Sequence, residues 1–202
     1  MFRCLCFAVV LSRTSVVFAQ QQVVVALAEI EKQGGTIDIE KSDGKEVSSL
    51  DAPRENVQDE QIKALSFLDL KGLQAALNET AKLKDVKHLS VNFCWTGPRT
   101  LSAEELQKIG AIESLEELSL TDTSFDSKDL KQLGKLANLK TIRLQEIRGG
   151  VFSDAHLRGL AQLPSVTTVD VSRVKKLTEE AVAAFEKQRP DCTVITAKAQ
   201  LK

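Results

Sequence analysis

The stretch I-E-S-L-E-E-L-S-L-T-D-T-S-F-D-S-K-D-L-K-Q-L, from Ile112 to Leu133, holds two periodicities in succession. Ile112, Leu115, Leu118 and Leu120 close on the alternation of a strand, while Phe125, Leu130 and Leu133 follow at offsets of five and three that suit one face of a helix. The same double pattern recurs on either side. Upstream lie Leu83, Val86, Leu89 and Val91 with Leu101, Leu106 and Ile109. Downstream lie Leu136, Leu139, Ile142 and Leu144 with Phe152, Leu157 and Leu160, then Leu163, Val166, Val169 and Val171 with Leu177, Val182 and Phe185. Copies starting at residues 83, 112, 136 and 163 recur every 24 to 29 residues. One such unit cannot offset the entropy of ordering its own backbone, so the units must stack. The pattern therefore predicts an α/β solenoid of stacked strand-and-helix units with parallel strands.

The flanking segments fit around these four units. Residues 1–19 read as a signal peptide: Arg3, an apolar run from Cys4 to Leu11, and Ala19 at the expected cleavage position. Residues 20–56 read as an N-terminal cap, with a helix from Val23 to Gln33, a strand from Thr36 to Ile39, and a loop containing a short strand near Val47 to Leu50. Residues 57–82 form a degenerate first repeat that admits two readings. Val57, Ile62 and Leu65 keep helical offsets, whereas Ile62, Leu65, Leu68 and Leu70 fit the strand pattern. Because Leu73, Leu77 and Ala81 continue a helical spacing, a helix from Asp59 to about Phe67 and another through the 70s is expected. The four clean repeats occupy 83–190. Pro190 then stops the last helix, and 191–202 supply a capping strand, Asp191 to Thr196, and a tail. Helix starts are marked by Ser102 with Glu105, by Asp126, by Ser153 and by Thr178, and Gly110 and Gly134 fall where helices should end.

Composition narrows the functional classes. The chain has 202 residues, 27 Lys and Arg against 28 Asp and Glu. Loss of residues 1–19 removes Arg3 and Arg13 and no acid, leaving 27 − 2 = 25 basic side chains and a net charge of 25 − 28 = −3. No basic stripe suits a phosphate backbone, so nucleic acid is not an expected partner. No stretch beyond the signal is long and apolar enough to span a bilayer, and a secreted or periplasmic location is expected. Two cysteines remain after the signal, Cys94 and Cys192. The register puts them four strand steps apart, roughly 19 Å, too far for a disulfide, which needs Cα atoms within about 7 Å. Two free thiols are expected, with Cys192 buried.

The composite motif, L-x-x-L-x-x-L-x-L followed by an aliphatic or Phe, then Ser, Thr or Asp, then L-x-x-L, resembles that of leucine-rich repeat proteins. It is closest to the I-T-D-x-x-L subtype, as in Phe152-Ser153-Asp154-Ala155-His156-Leu157. The opening A-L-A-E-I-E-K-Q-G-G, residues 26–35, is similar to the lead-in of short secreted bacterial members. The resemblance covers about residues 26–196. It implies a curved, right-handed solenoid, with parallel strands on the concave face and helices on the convex face, that binds another macromolecule on its strand face, usually without catalysis. The chain departs from the family in two long rim loops, Phe93 to Thr100 and Glu146 to Val151, and in lacking the Asn of the longer consensus at the turn after each strand.

Three outward-facing columns cross the four strands: His88, Glu117, Thr141, Thr168; Ser90, Ser119, Arg143, Asp170; and Asn92, Thr121, Gln145, Ser172. All are polar. They serve either as the solvated face of a half-buried sheet or as a recognition face, and Arg143 and Asp170 should pair across neighbouring strands. Trp95, the single tryptophan, lies in the Cys-Trp-Thr-Gly-Pro loop. It acts either as a lid over the sheet edge or as a rim anchor of the kind enriched at interfaces. The expected partner site comprises Trp95, Arg99, His88, Glu117, Arg143 and Asp170, and the expected partner is a protein. The alternative is a structural or self-associating cell-envelope component. Catalytic signals are thin: His88 and His156 fall in different repeats, and there is no H-E-x-x-H, G-x-S-x-G or phosphate loop. No cofactor is expected. A metal held by His88 and Glu117 has only two ligands, and Asn78-Glu79-Thr80 is a glycosylation sequon on an expected helix.

Overall fold

The computed structural model describes residues 25–32, 35–40, 46–48, 62–68, 73–83, 85–93, 99–146 and 152–197. Helix α1 covers 25–32. Strands β1 (Gly35–Glu40), β2 (Glu46–Ser48) and β3 (Ile62–Leu68) follow, then α2 (Leu73–Thr80), β4 (His88–Asn92), β5 (Arg99–Thr100) and α3 (Ala103–Ile109). Next come β6 (Glu117–Thr121), β7 (Thr123–Ser124), a 3-10 helix (Ser127–Lys135), β8 (Thr141–Gln145), α4 (Asp154–Leu160), β9 (Thr168–Arg173), α5 (Glu179–Gln188) and β10 (Thr193–Ile195). The chain is α/β. Its main sheet has the order β10-β9-β8-β6-β4-β3-β1-β2, and the six strands from β3 to β10 in that order are mutually parallel. The hairpin β1-β2 closes one end, with β1 antiparallel to β3. The signal segment 1–19 and Trp95 lie outside the described residues.

The apolar pattern sets the register. Leu65, Leu89, Leu118, Ile142, Val169 and Val194 stand opposite one another across six strands, and all but the half-buried Val194 are at most 1% exposed. Because side chains alternate along a strand, Phe67, Val91, Leu120, Leu144 and Val171 also turn into the core. There they join Leu77, Leu106, Ile109, Leu130, Leu133, Leu157, Leu160 and Phe185 from the helices, in one continuous cluster. Helices in successive connections touch in the order α2, α3, 3-10 helix, α4, α5.

Residues 62–68 correct the expected helix from Asp59 to Phe67: they form β3, with Leu65 opposite Leu89 and Phe67 opposite Val91. The strand reading was the better one, but its register is Leu65 and Phe67 rather than Leu68 and Leu70. The buried positions of α2 are Leu73, Ala76, Leu77 and Thr80, whereas Ala81 is exposed. Thr80 satisfies its buried hydroxyl by donating to the Ala76 carbonyl at 2.9 Å. The third column is also corrected at its end, since an irregularity in β8-β9 sets Gln145 opposite Arg173 instead of Ser172. Thr121, placed outward by alternation, is buried.

The second unit, the shortest, makes its helix as a 3-10 turn. A 3-10 helix rises about 2.0 Å per residue against 1.5 Å for an α-helix, so fewer residues cross the same span, and Leu130 and Leu133 still share a face. Glycines let its neighbours close on it. A Cβ on Gly110 would collide with the Gln132 carbonyl, and one on Gly159 would lie 2.7 Å from Leu130 Cδ1 and 2.9 Å from the Ser127 carbonyl oxygen. Gly110 has an ordinary right-handed φ of −64°, so close approach and not backbone conformation requires it. Three of the four caps read from sequence are in place: Ser102 with Glu105, Asp126 accepting from Lys128 N–H, and Thr178 accepting from Ala181 N–H; Ser153 precedes α4 without a backbone N–H bond to its hydroxyl.

Candidate functional site

Four of the six candidate residues form one row across adjacent strands of the sheet face that the helices leave open. His88 begins it on β4, with Nδ1 3.8 Å from Glu117 Oε2 on β6. Glu117 also holds Arg143 on β8 through Oε1 and Nη1. Arg143 Nε in turn lies 3.9 Å from Asp170 Oδ2 on β9. Asp170 is steadied from behind, since its Oδ1 accepts from Ser172 N–H at 3.0 Å. The expected Arg143–Asp170 pair is thus present at longer range, and the shorter contact runs diagonally to Glu117.

The row is accessible. His88 has 52% of its side chain exposed and Arg143 38%, while Glu117 and Asp170 are more shielded. Exposed pairs of this kind contribute about 0 to 1 kcal/mol each, so stability alone gives little reason for the arrangement. Beside the row, at the approach to the strands, Lys87 Nζ meets Glu116 at 2.9 Å. The hydrogen bond with Lys87 lowers the Glu116 pKa, and the same contact raises that of Lys87.

Arg99 stands apart from the row. It lies on β5, which pairs with β7 in a second, two-stranded sheet that sequence periodicity did not reveal. Its guanidinium packs 5.2 Å from the Phe93 ring centroid and bonds Glu105 Oε1 at 2.9 Å. Glu105, with 4% of its side chain exposed, accepts the Ser102 backbone N–H through its other oxygen at 2.8 Å. Arg99 therefore compensates a buried carboxylate, a role that costs heavily to remove.

Buried polar groups also include Glu146 and His156. Glu146 accepts Phe152 N–H at 2.7 Å and Lys175 N–H at 3.2 Å, bridging the segments that follow β8 and β9. His156 packs edge-on against Phe125 and Phe152. Its Nδ1 accepts Ser153 N–H at 3.2 Å, which fixes the proton on Nε2, where it is donated to the Phe125 carbonyl at 2.9 Å. The single signal for His156 in the sequence was its place three residues after Ser153, where a capping box takes Glu or Gln.

Among the described residues no three His, Cys, Asp or Glu side chains gather as a metal site, and no helix is long and apolar enough to cross a membrane. Cys192 is a buried free thiol whose pKa burial raises; Cys94 lies outside the described residues. Asn78 of the sequon is exposed on α2. No protein-family model matches this chain, and no curated protein matches it.

Proposed function

We propose that this chain is a small secreted or periplasmic leucine-rich repeat protein that works as a non-catalytic protein-binding module. In this reading the strand-and-helix units form a solenoid, with the polar strand face concave and the helices convex. The partner, a protein, docks on that face and on the rim loop carrying Trp95. The observation that carries the proposal is the row His88–Glu117–Arg143–Asp170. Basic and acidic side chains alternate in fixed order on a parallel ladder, at an exposure that leaves them open to a second surface. Such fixed patterns select and orient partners more than they add affinity. Further support comes from His156, which is engaged by backbone groups on both nitrogens and has no free atom for proton transfer.

Capture from an envelope extract on immobilised protein tests the proposal. Wild type should retain a discrete partner, which Arg143→Glu loses and the helix-side control Lys131→Glu keeps. Trp95→Ala tests the rim loop in the same assay. Equal capture by wild type and Arg143→Glu, with both proteins folded, would overturn the assignment of the row.

A further inference from the structure

Beyond the polar face, the last unit leaves, among the described residues, an unfilled apolar position beside an open strand edge. β10 ends the sheet, and its pairing with β9 stops at Ile195 opposite Asp170. Val171, the next inward side chain of β9, therefore has no paired residue beyond it. A cleft of about 360 Å³ opens there, floored by Val171, Val174, Leu177 and Val182 and bordered by Thr196 at the end of β10. In the preceding units the equivalent space is filled by the following unit. Both charged groups lining the cleft are carboxylates, Glu179 and Glu186 on α5.

The strand edge says what kind of molecule fits. Thr193 N–H donates to the Thr167 carbonyl at 2.8 Å, so alternation along the ladder turns the Val194 N–H and carbonyl to the open side. β10, Thr-Val-Ile, is three residues long, which limits the edge to the one N–H and carbonyl of Val194, and it carries neither lysine nor proline to block them. We infer that this end binds an extended peptide segment of a protein partner, added alongside β10. One aliphatic side chain would enter the cleft, and lysine or arginine two residues away would meet Glu179 and Glu186. Main-chain pairing supplies affinity in this mode, and the pocket supplies selectivity. The site is separate from the polar row and does not depend on its role.

The test is fluorescence anisotropy of the full chain with the labelled peptide amide Thr-Lys-Thr-Leu-Thr-Lys-Thr, which places Lys, Leu and Lys on one side of a strand. Saturable binding is expected on titration to about 1 mM, with a loss of at least about tenfold for Ala183→Arg, which fills the cleft from an exposed position, and for Glu186→Lys. Replacing both lysines of the peptide by glutamate, or methylating its central amides, should have the same effect. Absence of saturable binding, or binding indifferent to Ala183→Arg, would overturn the inference. A chain ending at Ala197 that binds at least about tenfold more tightly would give the cleft to residues 198–202. A mass that doubles with concentration and falls back with Ala183→Arg would give it to a second copy.

Discussion

Arg189 offers the sharpest test of what ends the stack. Its guanidinium, 11% exposed, donates to the carbonyls of Leu163 at 2.7 Å and Val166 at 2.8 Å, and more weakly to Ala161 and Pro164 at 3.4 Å. Asp191 grips the other side of the group at 2.9 and 2.8 Å, which raises the arginine pKa and lowers that of the aspartate. Leu163 and Val166 are buried, so truncation strands at least two carbonyls that water reaches poorly. A hydrogen bond from a charged donor contributes about 1.5 to 3 kcal/mol. Two such bonds, discounted for partial resolvation, give an expected loss of about 3 kcal/mol for Arg189→Ala. Arg189→Lys, which can reach one carbonyl but not both, should lose about half of that. Urea unfolding measures the loss, and native-state hydrogen exchange should show it first in α5 and β10. A change under about 0.5 kcal/mol, or a lysine variant equal to wild type, would refute this account of the terminal clamp.

Leu118→Ala, at the centre of the inward row and fully buried, should cost about 3 kcal/mol in urea unfolding; a cost under about 1 kcal/mol would contradict the packing. Acid should destabilise the fold. The pKa of Glu116 is depressed by its bond to Lys87 and that of Asp154 by the Thr178 N–H and hydroxyl. Their stabilisation is therefore complete above the unfolded value near 4 and lost as pH falls through the lower folded value. The urea midpoint should hold from neutrality to about pH 5 and decline below about pH 4, and an equal midpoint at pH 3 and pH 7 would exclude this. Cys192, with a raised pKa and little exposure, should resist a thiol-specific disulfide reagent until the protein unfolds; rapid labelling of the native thiol would place it elsewhere.

Strands β4, β6, β8 and β9 were legible because three aliphatic steps followed by an alternation cannot be satisfied by a single helix or strand. Residues 57–82 were harder, since their apolar positions satisfy both periods at once. The deciding clue lay downstream. Counting back from Leu89 and Val91 by the shortest unit length reaches Leu65 and Phe67, and Thr80 precedes Leu83 by the three residues that separate Ile109 from Ile112. The polar row could be read because alternation alone sends His88, Glu117, Arg143 and Asp170 outward, although the diagonal Glu117–Arg143 contact depends on side-chain reach that a column diagram does not contain. Arg99, Glu146, His156 and Arg189 were not legible as structural groups. Each answers backbone or carboxylate groups whose proximity exists only after folding, and no spacing rule encodes that.

Side-chain bonds to backbone carbonyls explain why the row on the open face stays in order. An apolar ladder of leucines and valines discriminates weakly between neighbouring registers along the strand beyond the two-residue alternation. In this chain the turns into β6, β8 and β9 are also each pinned one unit back by a directional bond. Ser114 Oγ donates to the Val86 carbonyl at 2.8 Å, Asn138 Nδ2 to that of Glu113 at 3.0 Å, and Ser165 Oγ to that of Leu136 at 2.7 Å. Arg189 ends the series at Leu163 and Val166. A slip of two residues, which would keep every aliphatic facing inward, would break all four links and strand the carbonyls they satisfy. The same slip would move Glu117 away from both His88 and Arg143. Register on the buried side and charge order on the open side are thus set by one series of hydrogen bonds.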